Sequence, residues 1–586
     1  MPTVCRARAG AAIPGRLTTS ANRSLVVVNQ SARSTADLIV WCLENEGVTH
    51  VFGIPGEENI HLMDAISRSS IRYVLARHEQ GASFMAEVYG RLTGRAGVCS
   101  ATLGPGAINL LLGTADATTN STPLVALSAQ VGMNRSFKES HQGVDLVTMF
   151  GPAVKWSALV ATPGAVPEMF RKAFKLAQTE RPGAVYLAIP EDVEKAPAAD
   201  GQEPLPVNVP RPDEPSPGQV ERAAVLIREA RAPVVLAGHG AARADAGPAL
   251  RRFAESLGIP VATTFHGKGV FPSDHPLALG AVGFMRHDYV NFGFDRADLI
   301  IAVGYELQEF DPVRINPRGD TKIIHLHRFP AEVDAHYDVA VGLHSGIGRS
   351  LDALAAAAAP RDVASPRDVA APGGDRIRSL LAAELARGRQ DDRFPLAPAR
   401  IVADTRAALR RQDIALVDTG ALKMWMARLY PTYEPNTCLI SNGLSTMAWT
   451  VPGAIGAKIA RPDCRVLVAT GDGAFLMNSQ EIETALRIGL AFVILIWVDD
   501  AYGLISWKMD LEIGRNVDTT FGNPDFVAYA ESFGATGYRI AAAGELLPTL
   551  RTALAADTVS VIACPVDYSA NLELIESLGD LDESFS

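Results

Sequence analysis

Short apolar runs alternate with longer amphipathic stretches from about residue 34 to the end of the chain. The runs at 51–52, 74–75, 98–100, 125–127 and 185–189 are short and rich in branched residues, which predicts buried strands. Leu38, Val40, Trp41 and Leu43 continue a helical stripe that Ser34 opens as an N-cap. Strands alternating with amphipathic helices predict a parallel sheet with helical crossovers. The pattern then repeats. A polar, proline-rich stretch at 201–217 reads as a linker, and further strands are expected at 234–237, 261–263, 299–303 and 323–326. A low-complexity hinge at 355–375 closes this second unit. The third begins near Pro395, with strands expected around 415–417, 466–469, 492–497 and 559–563. The fold class is therefore α/β, with three doubly wound parallel-sheet domains at 34–200, 215–355 and 391–570. Residues 356–390 read as a linker, 1–33 as an extension and 571–586 as an acidic tail, either a helix or a flap.

Composition narrows the function classes. A chain of 586 residues is too long for one core. A net charge of −11 argues against broad binding to nucleic acid or an anionic membrane. The longest apolar run, 491–498, falls well short of the roughly 20 residues of a membrane span. Six scattered cysteines without a CxxC pair fit isolated thiols in a reducing compartment, not a disulfide framework or a zinc site. These features describe a soluble cytoplasmic protein. The first 36 residues carry Arg6, Arg8, Arg16, Arg23 and Arg33 and no acid, which leaves organellar targeting open beside a disordered extension or an over-long gene start.

Candidate chemistry sits at strand ends in the third unit, where the sequence from Gly471 reads GDGAFLMNSQEIETALRIGLAFVILIWVDDAYG. The strand at 466–470 runs into Asp472, a helix is expected at about 479–488, and the next strand ends at Asp499. In a parallel sheet those two ends open on one edge, where ligands bind. Two carboxylates and a main-chain carbonyl are hard oxygen ligands suited to Mg²⁺ or Ca²⁺. Gly471 and Gly473 let the backbone approach phosphate oxygens, and a helix start adds N–H donors. A GDG turn alone is common in loops; the second carboxylate makes the pattern specific and points to an enzyme with a phosphorylated cofactor. Gly238-His239-Gly240 after a strand suggests a dinucleotide turn, but Arg243 stands where a third glycine would help.

The segment from Gly471 resembles the motif of thiamine diphosphate enzymes, with Val498-Asp499 in place of the usual Asn-Asn end. That resemblance makes Asp472, Asp499 and the carbonyl of Ala501 the metal ligands, Asp499 adding a charge that Asn would not carry. In Arg77-His78-Glu79-Gln80-Gly81-Ala82, by itself an ordinary charged loop, it makes Glu79 the catalytic carboxyl that bonds the cofactor's pyrimidine ring and favours its imino form. Gly420, Ala421 and Leu422 then supply diphosphate-binding amides, and Met447 the apolar wedge that bends the cofactor. Gly471, Gly473, Ala474 and Tyr502 complete its contacts, and Gly104-Pro105-Gly106 continues the pyrimidine side.

The series 52–56 (FGIPG), 77–94 (RHEQGASFMAEVYGRLTG) and 103–110 (LGPGAINL), with His141-Gln142 and 152–156, is similar to acetolactate synthases. Tyr305-Glu306, Asp311-Pro312 and 325–337 (HLHRFPAEVDAHY) are similar to their catabolic, flavin-free type, and 529–537 (YAESFGATG) agrees again. Glu57, where relatives carry Ala or Gly, and the Val498-Asp499 pair depart from the pattern and bear on substrate scope. The resemblance spans about 34–567. It implies decarboxylation of pyruvate and condensation with a second pyruvate to 2-acetolactate, using thiamine diphosphate and Mg²⁺, with FAD not favoured. It also implies a homodimer or homotetramer, because relatives place the cofactor between subunits. Gln142, Lys155, Leu504 and Trp507 are candidate substrate contacts. No two of the 12 histidines are adjacent, which suits a ligase that must avoid protonating its carbon nucleophile. The alternatives are another thiamine-dependent 2-keto acid decarboxylase or lyase, a nicotinamide or flavin oxidoreductase, and a non-catalytic family member.

Overall fold

The structure is a computed structural model that describes residues 33–208, 211, 213–282, 288–359 and 374–571. The extension read at 1–33 and the acidic tail at 571–586 lie outside the described residues except for Arg33 and Asn571, as does most of the hinge read at 355–375.

Three six-stranded sheets, parallel throughout, carry the fold. The first contains β1 (His50–Gly53), β2 (Arg72–Leu75), β3 (Gly97–Ala101), β4 (Leu124–Gln130), β5 (Trp156–Leu159) and β6 (Ala184–Pro190), in the order β2-β1-β3-β4-β6-β5. The second contains β7 (Pro233–Ala237), β8 (Val261–Thr263), β9 (Ala278–Ala281), β10 (Leu299–Val303), β11 (Lys322–His327) and β12 (Val339–His344), in the order β12-β11-β10-β7-β8-β9. The third contains β13 (Ile414–Val417), β14 (Cys438–Ile440), β15 (Val466–Gly471), β16 (Val493–Val498), β17 (Thr536–Arg539) and β18 (Ser560–Pro565), in the order β14-β13-β15-β16-β18-β17. The first and third sheets share one topology. The middle sheet has the strand order of a dinucleotide-binding fold. Every expected strand is present, and the sheets add β5, β9, β12, β14 and β17, all at sheet edges.

Local signals hold at the first helix, Thr35–Asn45, where the Ser34 hydroxyl accepts from the Asp37 amide and the Asp37 carboxylate accepts from the Ser34 amide. Two expectations change. The helix read at 479–488 is present as Glu481–Arg487, but a further helix, Asp472–Asn478, precedes it, so Asp472 is itself the first helical residue. The span read as a linker at 356–390 contains the helix Gly374–Gln390, with Ile377 buried against the middle domain.

The first and third domains share one apolar core, in which Phe52, Phe84 and Val88 cluster with Leu416, Trp449 and Ile455. Its centre is the contact between the helices Glu79–Thr93 and Thr450–Ala460. A Cβ at Gly456 would collide with the carbonyl oxygen of Met85, and one at Gly453 would lie 2.9 Å from Val88 Cγ2. These glycines let the two backbones approach. Beside them, the buried Glu481 carboxylate accepts from the amides of Arg77 (3.0 Å) and His78 (3.1 Å), so the third domain grips the turn that opens the Glu79 helix. Gly456→Val should therefore lower the thermal unfolding midpoint through an overpacking cost of about 1–3 kcal/mol. A midpoint equal to that of the parent protein would show that the helices can part freely.

Candidate functional site

In the third sheet the chain moves from β13 outward to β14 and then returns to β15 on the other side of β13. Such a reversal opens a crevice at the C-terminal ends of the adjacent strands. Three loops meet there: Thr419–Leu422 after β13, Gly471–Ala474 after β15 and Asp499–Ile505 after β16. With Met447 and Tyr568 they line a single cleft that contains Gly420, Ala421, Leu422, Gly471, Asp472, Gly473, Ala474, Asp499, Ala501, Tyr502 and Leu504. The expected cofactor and metal residues thus come together.

Gly420 has φ +150 and ψ −170, a conformation that favours glycine, and the helix Ala421–Leu429 starts directly after it. The first amides of a helix have no intrahelical partner, which suits them to phosphate oxygens. Gly473 presses against Tyr502, where a Cβ would lie 2.8 Å from the ring, and Tyr502 packs edge-on against Phe521 at 5.1 Å.

Asp472 is buried, and its oxygens accept from the amides of Gly473 (2.9 Å), Asp499 (3.2 Å) and Asp500 (2.8 Å) and from Asn523 Nδ2 (2.8 Å). Burial, reinforced by the Asp472 charge, pushes the Asp499 carboxyl up to about 7, and burial also raises Asp472. Among the described residues no basic side chain forms an ion pair with either acid. A divalent cation would supply the missing positive charge, so the donor set fits Mg²⁺. No cluster of three or more His, Cys, Asp or Glu side chains capable of holding a metal occurs among the described residues. A cation here would depend on main-chain and phosphate oxygens as well as the two carboxylates.

Sequence reasoning missed the residue that organises the cleft. Asp418 is fully buried at the end of β13, and burial pushes its carboxyl up to about 6. It accepts from the amides of Thr419 (2.8 Å) and Ala448 (2.9 Å) and from the hydroxyls of Thr450 (2.6 Å) and Thr470 (3.0 Å). One carboxylate thereby ties together the end of β13, the loop carrying Met447 and the end of β15. That loop bends sharply, with Ser445 and Ala448 at φ +55 and +66. The first domain braces it as well, because Asp116 accepts from Ser441 Oγ (2.8 Å) and Thr446 Oγ1 (2.7 Å). Asp418 stands two residues before Gly420, directly after an apolar strand, and that position is the signal that could have found it. Asn523 and Tyr568 carried no local signal.

The remaining expected residues lie elsewhere. Glu79 is buried, and its carboxylate accepts from Asn109 Nδ2 at 3.0 Å. Gly106 leaves room for it, since a Cβ there would be 3.1 Å from Glu79 Oε1. Yet the cleft lining in this chain comes from the third domain alone, so Glu79 and Asp472 do not share it within one chain. Gln142 is exposed, with φ +56, next to Gly104. Lys155 lies outside the cleft and donates to the carbonyls of Leu176 and Thr179 (2.8 Å), closing the end of the helix Val166–Gln178. Trp507 is a buried residue of the helix Gly503–Ile513, behind the lining to which Leu504 belongs.

Known proteins match this architecture domain by domain. The family models described as thiamine pyrophosphate enzyme N-terminal TPP binding domain, central domain and C-terminal TPP binding domain match residues 33–149, 220–354 and 418–564. Similar proteins include the acetolactate synthase of Bacillus subtilis, 34% identical over 92% of this chain and 94% of the relative. The catabolic acetolactate synthase of Raoultella terrigena is 35% identical over 93% and 97%. A probable acetolactate synthase large subunit of Methanocaldococcus jannaschii is 35% identical over 93% and 94%. The chain belongs to the acetolactate synthase family of thiamine pyrophosphate enzymes.

A dinucleotide such as FAD does not fit the crevice of the middle sheet. At the C-terminal ends of β7 and β10, the buried Glu309 carboxylate accepts from the His239 amide (3.1 Å), the Glu306 amide (3.0 Å) and the Thr264 hydroxyl. The Gly240 amide donates to Gly304 O at 2.8 Å. The turn amides that a pyrophosphate would need are thus already bonded to a protein carboxylate and to backbone.

Asp418→Leu removes the acceptor for two buried amides, each costing about 1–3 kcal/mol when unpaired. It should lower the unfolding midpoint and weaken thiamine diphosphate binding. Asp418→Asn, which keeps one carbonyl oxygen for those amides, should lose much less. Equal losses in calorimetry of the two variants would remove the assigned role.

Proposed function

We propose that the protein is an acetolactate synthase that decarboxylates pyruvate and joins the two-carbon fragment to a second pyruvate, giving 2-acetolactate. The observation that carries this reading is the pair of unneutralised carboxylates, buried Asp472 and half-buried Asp499, at the switch point of the third sheet, in a chain related to acetolactate synthases over nearly its whole length. Asp472, Asp499 and the Ala501 carbonyl hold Mg²⁺, and the amides at Gly420, Ala421 and Leu422 bind the diphosphate. Gly471, Gly473, Ala474 and Tyr502 form the adjoining wall. Met447 would pack against the cofactor from a loop fixed by Asp418 and Asp116. When bound, thiamine diphosphate supplies the electron sink for decarboxylation and for forming the new carbon–carbon bond. Glu79 holds a proton at the pyrimidine ring nitrogen, and Leu504 helps to keep water from the reacting carbon. Gln142 remains a substrate contact to test.

Glu79 is buried yet lies outside its own chain's cleft, which supports a homodimer or homotetramer in which one chain supplies Glu79 and the other the metal site. Incubation with pyruvate, Mg²⁺ and thiamine diphosphate should yield 2-acetolactate; acetaldehyde or acetyl phosphate as the main product would replace this reading with another thiamine-dependent reaction. Glu79→Gln should lower turnover by about 10²-fold or more with an unchanged unfolding midpoint. Denaturing, mixing and refolding inactive Glu79→Gln and Asp472→Ala chains should restore activity in about one site in four, the statistical expectation for random pairing in a twofold dimer. No recovery from mixed dimers verified by mass would place each complete site within one chain.

A further inference from the structure

A second cavity, of about 470 Å³, lies where all three domains meet. The first domain contributes Arg91 and Glu180, the middle domain His239, Arg243, Asp245 and Arg328, and the third Arg461. Four arginines and two acids line this cavity in a chain of net charge −11, and the buried Glu306 behind it pairs with Arg243 at 2.6 Å, which leaves Arg91, Arg328 and Arg461 to set its positive bias. Glu180 is already engaged, 3.0 Å from Arg243 and 3.6 Å from Arg328.

Several donors in the lining lack partners. Arg91 Nε, Arg243 Nε and Nη1, and His239 Nδ1 are buried without a hydrogen bond. Arg91 and His239 are 7% and 1% exposed, so these are not solvated surface groups. Buried donors are ordinarily satisfied, so unpaired nitrogens on three residues of one cavity lining are unusual. The middle-domain crevice does not use them, because Glu309 bonds the His239 main-chain amide and leaves the ring nitrogen free.

We propose that this cavity binds a small phosphate-bearing molecule. Guanidinium groups recognise phosphate through several oxygens at once. Donors arriving from three domains suit the tetrahedral oxygens of a phosphate better than the plane of one carboxylate. The volume falls within the range of small-molecule sites, about 300–1,000 Å³, which leaves space for an organic portion beyond the phosphate. The helix Glu79–Thr93 runs from the catalytic glutamate to the cavity edge at Gly90–Gly94, a length of about 22 Å at 1.5 Å per residue. The two linings share no residue, so the site is distinct from the cofactor cleft.

The test uses holoprotein saturated with thiamine diphosphate and Mg²⁺, so that the probes cannot enter the cofactor cleft. Titration calorimetry at constant ionic strength should give one saturable site per chain for glycerol 3-phosphate and for inorganic phosphate, and none for glycerol. Arg328→Ser and Arg461→Gln should each weaken binding at least about tenfold, equivalent to about 1.4 kcal/mol. Absence of saturable binding, as for a cavity holding only water, overturns the proposal; so does an affinity unchanged in both variants. Succinate binding as tightly as glycerol 3-phosphate overturns the phosphate assignment. Should the variants fail to fold, crystals of the wild-type holoprotein soaked in selenate decide the question: anomalous density in the cavity supports the site, and an empty cavity refutes it.

Discussion

The contact between the helices Glu79–Thr93 and Thr450–Ala460 requires two backbones to come closer than any side chain at Gly456 would allow. Through it the first and third domains share one core. The Glu79 turn is held by Glu481 from the third domain, and the Met447 loop is braced by Asp116 from the first. Both the Glu79 turn and the Met447 loop thus depend on a contact that neither domain could make alone.

Buried acids perform three different tasks around this contact. Asp418 and Asp116 are satisfied by hydrogen bonds and fix backbone. Buried Asp472 and half-buried Asp499 lie close together without a basic partner among the described residues, an unfavourable arrangement that a cation would relieve. Glu309 places its carboxylate where another Rossmann-type domain would place a phosphate group. Charge type alone does not separate these roles; the donors surrounding each oxygen do.

The middle domain also illustrates why fold and function separate. Its strand order and its Gly238-His239-Gly240 turn belong to a dinucleotide-binding architecture, yet Glu309 and the Gly240–Gly304 contact close the crevice. What remains open is the joint with the other two domains. Unpaired arginine and histidine nitrogens collect there.

The interior strands were legible because strands buried on both faces are continuous apolar runs, as in 125–127 and 493–497. Of the six edge strands only β2 was. β5 and β17 are only partly buried, β12 mixes exposed and buried positions, β14 has three residues, and β9 contains Gly280 at φ +110, so none presents a clear period. The acids and glycines of the cofactor cleft could be found in the sequence because β15 and β16 deliver them at their own ends. Other assignments depended on distant neighbours. Sequence could not show that Lys155 would close a helix end, that Trp507 would lie behind the cleft wall, or that Asp418 would receive four hydrogen bonds from three segments. Sequence by itself determined the strand-and-helix alternation and the chemistry offered at each strand end, because both follow from local order along the chain. Only the tertiary structure decided which of those groups face one another and which are buried without a partner, because that depends on how close separate backbones can come.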